Sequence, residues 1–127
     1  MKVRERLAEM RDVLSRFLRR LRMYVLVSYK SCMTVEEFRA TLKEDEPPGE
    51  LSASLAALWW DAKGDWARAH GMVDDLSTPD AMAVHAYLHR KEGAQSNAEY
   101  WYARASRKFH RPSLEAEWVA LVEGLTA

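Results

Sequence analysis

The chain has 127 residues, which is enough for one domain with a modest core and too few for two ordinary domains. An apolar fraction of 48% with 30% charged residues is that of an ordinary soluble protein, and it excludes disorder over most of the chain. A single cysteine, Cys32, excludes an internal disulfide, and the sequence shows no signal-peptide pattern, so we expect a cytoplasmic protein.

Charge is unevenly distributed along the chain. Residues 1–32 carry nine Lys or Arg and three acidic residues, a net charge of +6, whereas the remaining 95 residues carry ten basic and 16 acidic residues, a net charge of −6. Such asymmetry is typical of a segment that has its own binding partner or that does not belong to the adjacent domain. The sequence therefore divides into a basic N-terminal segment, residues 1–32, and a domain, residues 33–127.

The N-terminal segment has the pattern of a basic amphipathic helix. Apolar residues recur at alternating steps of four and three along one face of this helix, and this apolar seam weakens towards its C-terminal end. The seam positions are Val3, Leu7, Met10, Leu14, Phe17, Leu21, Tyr24 and Ser28. Such a helix binds an acidic membrane surface, nucleic acid phosphates or another helix, or it packs on the acidic body of its own chain or is simply solvated. The uninterrupted apolar run at residues 23–27 is far shorter than the ~20 residues that span a bilayer.

Met33 has the features of a natural start of the domain. Thr34 and Glu37 are spaced as a capping box, and acidic residues fill the first turn, where the helix dipole favours them. The change in charge falls at the same point. One interpretation is therefore that residues 1–32 are an upstream extension outside the native domain, and the other is that they are part of it.

From Thr34 the chain predicts a succession of helices. The first runs to about Lys43 and ends before Pro47, because proline cannot donate to a helix and disfavours helical backbone in the residue before it. The next has an apolar face formed by Leu51, Leu55, Leu58, Trp59 and Ala62. Gly64 breaks it, and Asp65 caps a helix that contains Trp66, Ala69, Val73 and Leu76.

A helical hairpin at residues 84–105 is the centre of the predicted domain. Thr78 caps its first helix, with Pro79 at the first helical position, and Gly93 ends that helix. Ser96 and Glu99 are spaced as a capping box for the second helix. The inward face of the second helix is Ala98, Trp101, Tyr102 and Ala105. After a connector at residues 109–112, Ser113 opens a last helix with the stripe Leu114, Trp118, Leu121, Val122 and Leu125.

Gly64 and Gly93, 29 residues apart, indicate an internal repeat. The first opens the run GDWARA, and the second precedes the helix of Ala98, Tyr102 and Ala105. These residues resemble the tetratricopeptide and Sel1-like repeat families, in which a Gly-Asp-aromatic turn leads to a small, an aromatic and another small residue. The resemblance implies stacked antiparallel hairpins. The runs LWWDAKGDW, HAYLHRKEG and NAEYWY also resemble a group of small uncharacterised microbial proteins, which implies no activity.

His85 and His89 are candidates for a metal site. They are four residues apart on a predicted helix, so both rings point towards one place, which is the spacing that metal sites use. A third ligand would have to come from His70, Asp61 or His110. The alternative is that the two histidines fill polar gaps between helices by bonding to Asp61, Asn97 or a tyrosine.

Several aromatic and polar residues near the hairpin are candidates for ligand binding. Consecutive aromatic residues on a helix cannot all face the core, and we expect Trp60 and Tyr100 to lie off it. An exposed Trp or Tyr near Arg104 and His89 would mark a binding groove, and the alternative is that these aromatic residues cover the edge of the hairpin. Arg90 offers an anion clamp or pairs with Glu92 or Glu99. Asn97 reaches a ligand or supports the helix start. The predicted binding residues are thus His85, His89, Arg90, Asn97, Tyr100, Trp60 and Arg104.

The sequence as a whole predicts an all-α domain of antiparallel, tetratricopeptide-like helical hairpins with a C-terminal packing helix. The favoured function is an interaction module that binds a protein or peptide through an aromatic, His-bearing face, with no cofactor and no metal ligand assigned. One alternative is a small-molecule or metal site, catalytic or not, at His85 and His89. Another is membrane or nucleic acid binding by residues 1–30. Enzymatic activity has no positive support, because neither a catalytic constellation nor a phosphate-binding glycine loop is recognisable.

Overall fold

The computed structural model describes residues 4–16, 33–108 and 112–127. Within these residues the protein is all-helical, with seven α-helices and no strand, which confirms the predicted class. None of the helices described there combines the length and the apolar character needed to cross a membrane. The chain divides into two compact units, Met1–Met33 and Thr34–Ala127, one residue beyond the predicted boundary.

The first unit contains helix α1, which the structure describes over residues 4–16. Its large exposed apolar side chains are Leu7, Met10, Val13 and Leu14, three of which belong to the predicted seam. The other seam positions, Val3, Phe17, Leu21, Tyr24 and Ser28, lie outside the described residues, as do the apolar run 23–27 and Cys32. The connector residues 109–111, which include His110, also lie outside them.

The second unit contains the remaining helices. They are α2 (Val35–Ala40) with a 3₁₀ turn at Thr41–Lys43, α3 (Ala53–Ala62), α4 (Trp66–Val73), α5 (Pro79–Glu92), α6 (Gln95–Arg104) and α7 (Leu114–Thr126). Four helices begin where the sequence predicts, each with a side chain that accepts a hydrogen bond from the N–H three residues on. These caps are Thr34, Asp65, Thr78 and Ser113.

Two glycine turns of the same geometry join α3 to α4 and α5 to α6. Gly64 and Gly93 have φ angles of +84° and +91°. The following residue closes each turn, because the Asp65 N–H donates to the Trp60 carbonyl and the Ala94 N–H to the His89 carbonyl, both at 2.9 Å. The predicted helix breaks at both glycines are confirmed, and α3 packs mainly on α4 while α5 packs mainly on α6.

The predicted capping box at the start of α6 is wrong. The helix begins at Gln95 and its N-cap is Ala94, whose side chain has no capping group. Because the turn at Gly93 already binds the Ala94 amide, the chain resumes its helix at once. Ser96 is therefore inside the first turn instead of preceding it.

The core surrounds α3 and α5. Residues 54–61 of α3 and 81–89 of α5 are all buried, because α3 packs against α4, α5 and α7 while α5 also packs against α4, α6 and α7. The expectation that Trp60 lies off the core is wrong, since its side chain is buried on this enclosed helix. The Trp118 indole of α7 donates to the Leu58 carbonyl at 3.1 Å and so anchors α7 on α3.

Candidate metal centre

Three imidazoles meet between α4 and α5. His70 lies on α4, and His85 and His89 lie one turn apart on α5. The ring centroids are 4.7 Å apart for His70 and His85, 5.1 Å for His70 and His89, and 4.8 Å for His85 and His89. One nitrogen from each ring lies within 4.8 Å of the other two, and the Nε2 atoms of His70 and His85 are 3.0 Å apart. This is the histidine cluster.

Trp66 fixes the position of His70. Its indole N–H donates to the Leu88 carbonyl of α5 at 2.8 Å, which ties the start of α4 to α5. One turn further along α4, the His70 ring stacks on the Trp66 ring with centroids 4.8 Å apart and an angle of 11° between the planes. The hydrogen bond therefore fixes the position of α4 along the axis of α5, and the stacking fixes the orientation of the His70 imidazole.

Helix α6 covers the other side of the cluster. Trp101 stacks on the His85 ring with centroids 4.0 Å apart. The Arg104 guanidinium lies 4.9 Å from the centre of the Trp101 ring and 5.8 Å from that of Tyr100, which is 55% exposed. A layered arrangement of imidazole, indole and guanidinium thus separates His85 from solvent.

Glu92 orients His89. Its carboxylate lies 2.8 Å from His89 Nδ1, and the tautomer with the proton on Nδ1 satisfies this hydrogen bond. The lone pair of His89 is then on Nε2. A carboxylate that fixes a histidine in this way is typical of metal ligands, because it sets the tautomer and increases the basicity of the free nitrogen.

His85 is the most buried member of the cluster. It is 3% exposed, and its Nδ1 has no hydrogen-bond partner within the described parts of the chain. Burial, followed by the charges of His70 and His89, lowers the pKa of His85 to about 4, against a smaller opposing effect of Asp74. At neutral pH its imidazole is uncharged, which is the form that binds a metal.

The other predicted binding residues are distributed over the domain. Arg90 pairs with Glu117 of α7 at 2.6 Å and donates to the Pro112 carbonyl at 2.5 Å, so its predicted pairing with Glu92 or Glu99 is wrong. Asn97 is exposed on α6. Tyr100 is exposed, as the sequence predicts, and the Arg104 guanidinium lies beside its ring.

Trp60 lies outside the cluster, on α3. It packs edge-on against Trp59 with centroids 4.9 Å apart, and the Arg68 guanidinium lies 4.1 Å from its centre. Of the candidates for a third ligand that the structure describes, His70 joins His85 and His89, and His110 lies outside the described residues. Asp61 binds Tyr87 and Lys91 instead.

Sequence reasoning missed three residues that shape the cluster: Trp66, Glu92 and Trp101. Two of them leave a signal in the sequence, because Trp66 is four residues before His70 and Glu92 is three residues after His89. Trp101 has no such signal, since the turn at Gly93 brings it onto His85.

Comparison of the chain with protein-family models, with curated proteins and with solved structures finds no match in any of the three. The resemblance to tetratricopeptide and Sel1-like repeats therefore stays a prediction, and the function is argued from the geometry of the cluster.

Proposed function

We propose that the protein binds a divalent transition metal ion through His70, His85 and His89. The observation that carries this proposal is the convergence of three imidazole nitrogens within 4.8 Å. Zinc–nitrogen bonds are about 2.0–2.1 Å long, so two nitrogens on a tetrahedral ion are about 3.3 Å apart. The His70 and His85 nitrogens, at 3.0 Å, are already near this separation. The largest separation closes with side-chain movements of about 1.5 Å in total.

The ligand set selects the class of metal. Neutral imidazole suits zinc, copper, nickel and iron, whereas calcium and magnesium require oxygen ligands. Three nitrogen ligands leave one position of a tetrahedral ion open to water or to a ligand from outside the cluster. The lowered pKa of His85 also favours the metal, because its imidazole is uncharged at neutral pH and no second proton has to be displaced from the ring.

The cluster distinguishes the metal hypothesis from the interaction-module hypothesis. A metal site requires a third ligand within reach of His85 and His89, and His70 meets this requirement. An interaction module alone requires a shallow groove and no convergent titratable groups. The convergence of three imidazoles therefore supports the metal hypothesis, whereas the hydrogen bond between the His70 and His85 Nε2 atoms fits the alternative that the histidines fill a polar gap.

Calorimetric titration with Zn²⁺ tests the proposal, together with elemental analysis of the purified protein. We expect one equivalent of zinc and at least about 100-fold weaker binding by His70→Ala, because one of three ligands is lost. We choose His70 for the substitution because its side chain is less buried than that of His85. Glu123→Ala, an exposed change on α7, is the control and should bind zinc as the wild type does. Equal zinc affinity of His70→Ala and the wild type would refute the proposal.

We also propose that α3–α4 and α5–α6 are two repeats of the tetratricopeptide or Sel1-like kind. The support is the shared geometry of the turns at Gly64 and Gly93 and the pairing of the helices that they join. A crystal structure tests this proposal by superposition of one pair on the other. Clearly different angles between the helices of the two pairs would contradict it.

An interaction module acting in the cytoplasm is a second candidate function. The observation that favours it is Tyr100, which is 55% exposed with Arg104 beside its ring, since tyrosine and arginine are enriched at protein interfaces. We expect a partner that copurifies from native cells to be lost from the Tyr100→Ala/Arg104→Ala variant and kept by Ser96→Ala, an exposed control on the same helix. Retention by the double variant would exclude this surface.

Helix α1 supports a third candidate, binding to an acidic membrane surface or to nucleic acid. Its exposed side chains Leu7, Met10, Val13 and Leu14 occur among arginines, the pattern of an interfacial helix. Deletion of residues 1–32 should abolish sedimentation with anionic liposomes or retention on DNA. Unchanged binding after the deletion would eliminate this candidate.

A further inference from the structure

A cavity lies at the face of α5 opposite the histidine cluster. Tyr87 and Lys91 line it, and each follows a cluster histidine by two residues, which is roughly 200° around the helix. The volume of the cavity is about 370 Å³, within the range of small-molecule sites. Its apolar wall consists of Leu42, Leu114 and Trp118. The cavity is thus separate from the metal centre.

A buried carboxylate positions a cation at this cavity. Asp61, whose side chain is 2% exposed, accepts hydrogen bonds from Lys91 Nζ at 2.8 Å and from the Tyr87 hydroxyl at 2.9 Å. Asp61 lies in the last turn of α3, where the helix dipole disfavours a negative charge, and burial adds a desolvation cost. This carboxylate connects α3 to α5 through both hydrogen bonds. Its effect is to hold the 41% exposed Lys91 ammonium at the cavity wall.

A second cation lines the same cavity. Arg39 forms an exposed ion pair with Glu115 at 2.9 Å, and its guanidinium lies 5.4 Å from the centre of the Trp118 ring. A guanidinium has five N–H donors, and the bond to Glu115 occupies one of them. Arg39 therefore keeps donors for the two oxygens of a further carboxylate, beside an indole that an apolar group can contact.

We propose that this cavity binds a small organic carboxylate with an apolar or aromatic body. The carboxylate lies between Arg39 and Lys91, where two cations replace its hydration. The body contacts Trp118, Leu42 and Leu114. Glu115 and Asp61 are the anions already paired with these two cations. The ligand competes with Glu115 for Arg39 at little cost because that ion pair is exposed, whereas Lys91 keeps Asp61 and offers its remaining N–H donors.

Titration with phenylacetate, followed by ¹H–¹⁵N NMR of the full chain in the presence of a chelator, tests the proposal. We expect saturable shifts of the Trp118 indole N–H, with a dissociation constant of about 1 mM or tighter, the range for a fragment of this size. The indole signals of Trp66 and Trp101 should not follow the titration. Phenylacetamide, which has the same shape and no charge, should bind about tenfold more weakly because it loses the charge-assisted bonds.

The Arg39→Met variant should bind phenylacetate about tenfold more weakly, and Lys43→Met, a control close by and outside the cavity lining, should bind it as the wild type does. Arg39 is exposed, so this variant should fold. His70→Ala should keep phenylacetate binding, which separates this test from that of the metal. Equal binding of phenylacetamide, tighter binding of phenethylamine, or no saturable shift at Trp118 would overturn the proposal.

Discussion

Ser106 has the left-handed backbone that Gly64 and Gly93 adopt at the two preceding turns. Its φ angle is 56°, and it is the one residue other than glycine with a positive φ in the part of the chain that the structure describes. The turn is of the same type, because the Arg107 N–H donates to the Tyr102 carbonyl at 2.9 Å. A side chain in this conformation costs about 1 kcal/mol, since its Cβ crowds the backbone.

We expect Ser106→Gly to raise the free energy of unfolding by about 1 kcal/mol, because it removes this crowding. Urea denaturation of the variant and the wild type measures the difference. Gly64→Ser is the reciprocal control and should lower the free energy of unfolding by a similar amount. A Ser106→Gly variant less stable than the wild type would show that the serine is not strained.

Glu92 is expected to tune the proposed metal site without binding the metal. Glu92→Gln weakens the hydrogen bond to His89 Nδ1 and the preference for the tautomer that exposes Nε2. We expect zinc affinity to fall by about 10- to 100-fold, as measured by competition with a chromogenic chelator. Glu99→Gln, an exposed change on α6, should leave the affinity unchanged, and equal effects of both variants would argue for a nonspecific loss of charge.

At the scale of elements, α7 is held by a polar cluster at the end of α5. Glu117 of α7 accepts hydrogen bonds from Arg90 and from the Tyr102 hydroxyl, and Arg90 also binds the Pro112 carbonyl. Burial and the hydrogen bond to Glu117 raise the pKa of Tyr102, so its hydroxyl remains a donor. One carboxylate thus connects α5, α6 and α7.

We expect Arg90→Ala to lower the free energy of unfolding by about 2 kcal/mol, because it leaves the Glu117 carboxylate, which is 13% exposed, without its cation. Chemical denaturation measures the change. Arg39→Ala is the control, since the Arg39–Glu115 pair is exposed, and it should cost less than about 1 kcal/mol. Similar losses for both variants would contradict the role of burial.

The sequence predicted helix boundaries where the deciding chemistry is local. Thr34, Asp65 and Thr78 cap their helices by accepting a hydrogen bond from the N–H three residues further along the chain. Residue spacing was therefore sufficient to predict where these helices begin. The start of α6 depended on the preceding turn, which used the Ala94 amide before Ser96 could act as a cap. Trp60 was misplaced because a helix enclosed by three others has no outer face at that position.

At the scale of the whole molecule, the histidine cluster makes stability depend on pH. The pKa of His85 is about 4 in the folded protein, whereas an imidazole in an unfolded chain has a pKa near 6.5. Between these values the unfolded state binds more protons, so stability falls as pH decreases through 6.5 towards 4.

We expect the wild type to lose about 2 kcal/mol of stability through His85 between pH 7.5 and pH 5. Urea denaturation at each pH, with a chelator present, measures the loss. His85→Gln has no proton to take up at this position and should show a loss smaller by that amount. Parallel pH profiles of the variant and the wild type would refute this assignment.

The histidine cluster was predictable only in part. His85 and His89 are four residues apart on one helix, so their common face follows from helical geometry alone. His70 is on another helix, and its approach depends on how α4 packs on α5, which the Trp66 bond to Leu88 fixes. No pattern within one helix could have selected it over Asp61 or His110.

The cavity at Asp61 also depends on packing, because its wall comes from α2, α3, α5 and α7 with the turn after α2.

The stacking of Trp66 on His70 and of Trp101 on His85 gives the protein its own optical reporter. Two of the five tryptophans are in direct contact with proposed ligand rings. A paramagnetic ion such as Cu²⁺ quenches indole fluorescence at such short range, whereas Zn²⁺, with a closed d shell, does not. Emission at the same occupancy should therefore distinguish the two ions without any added dye.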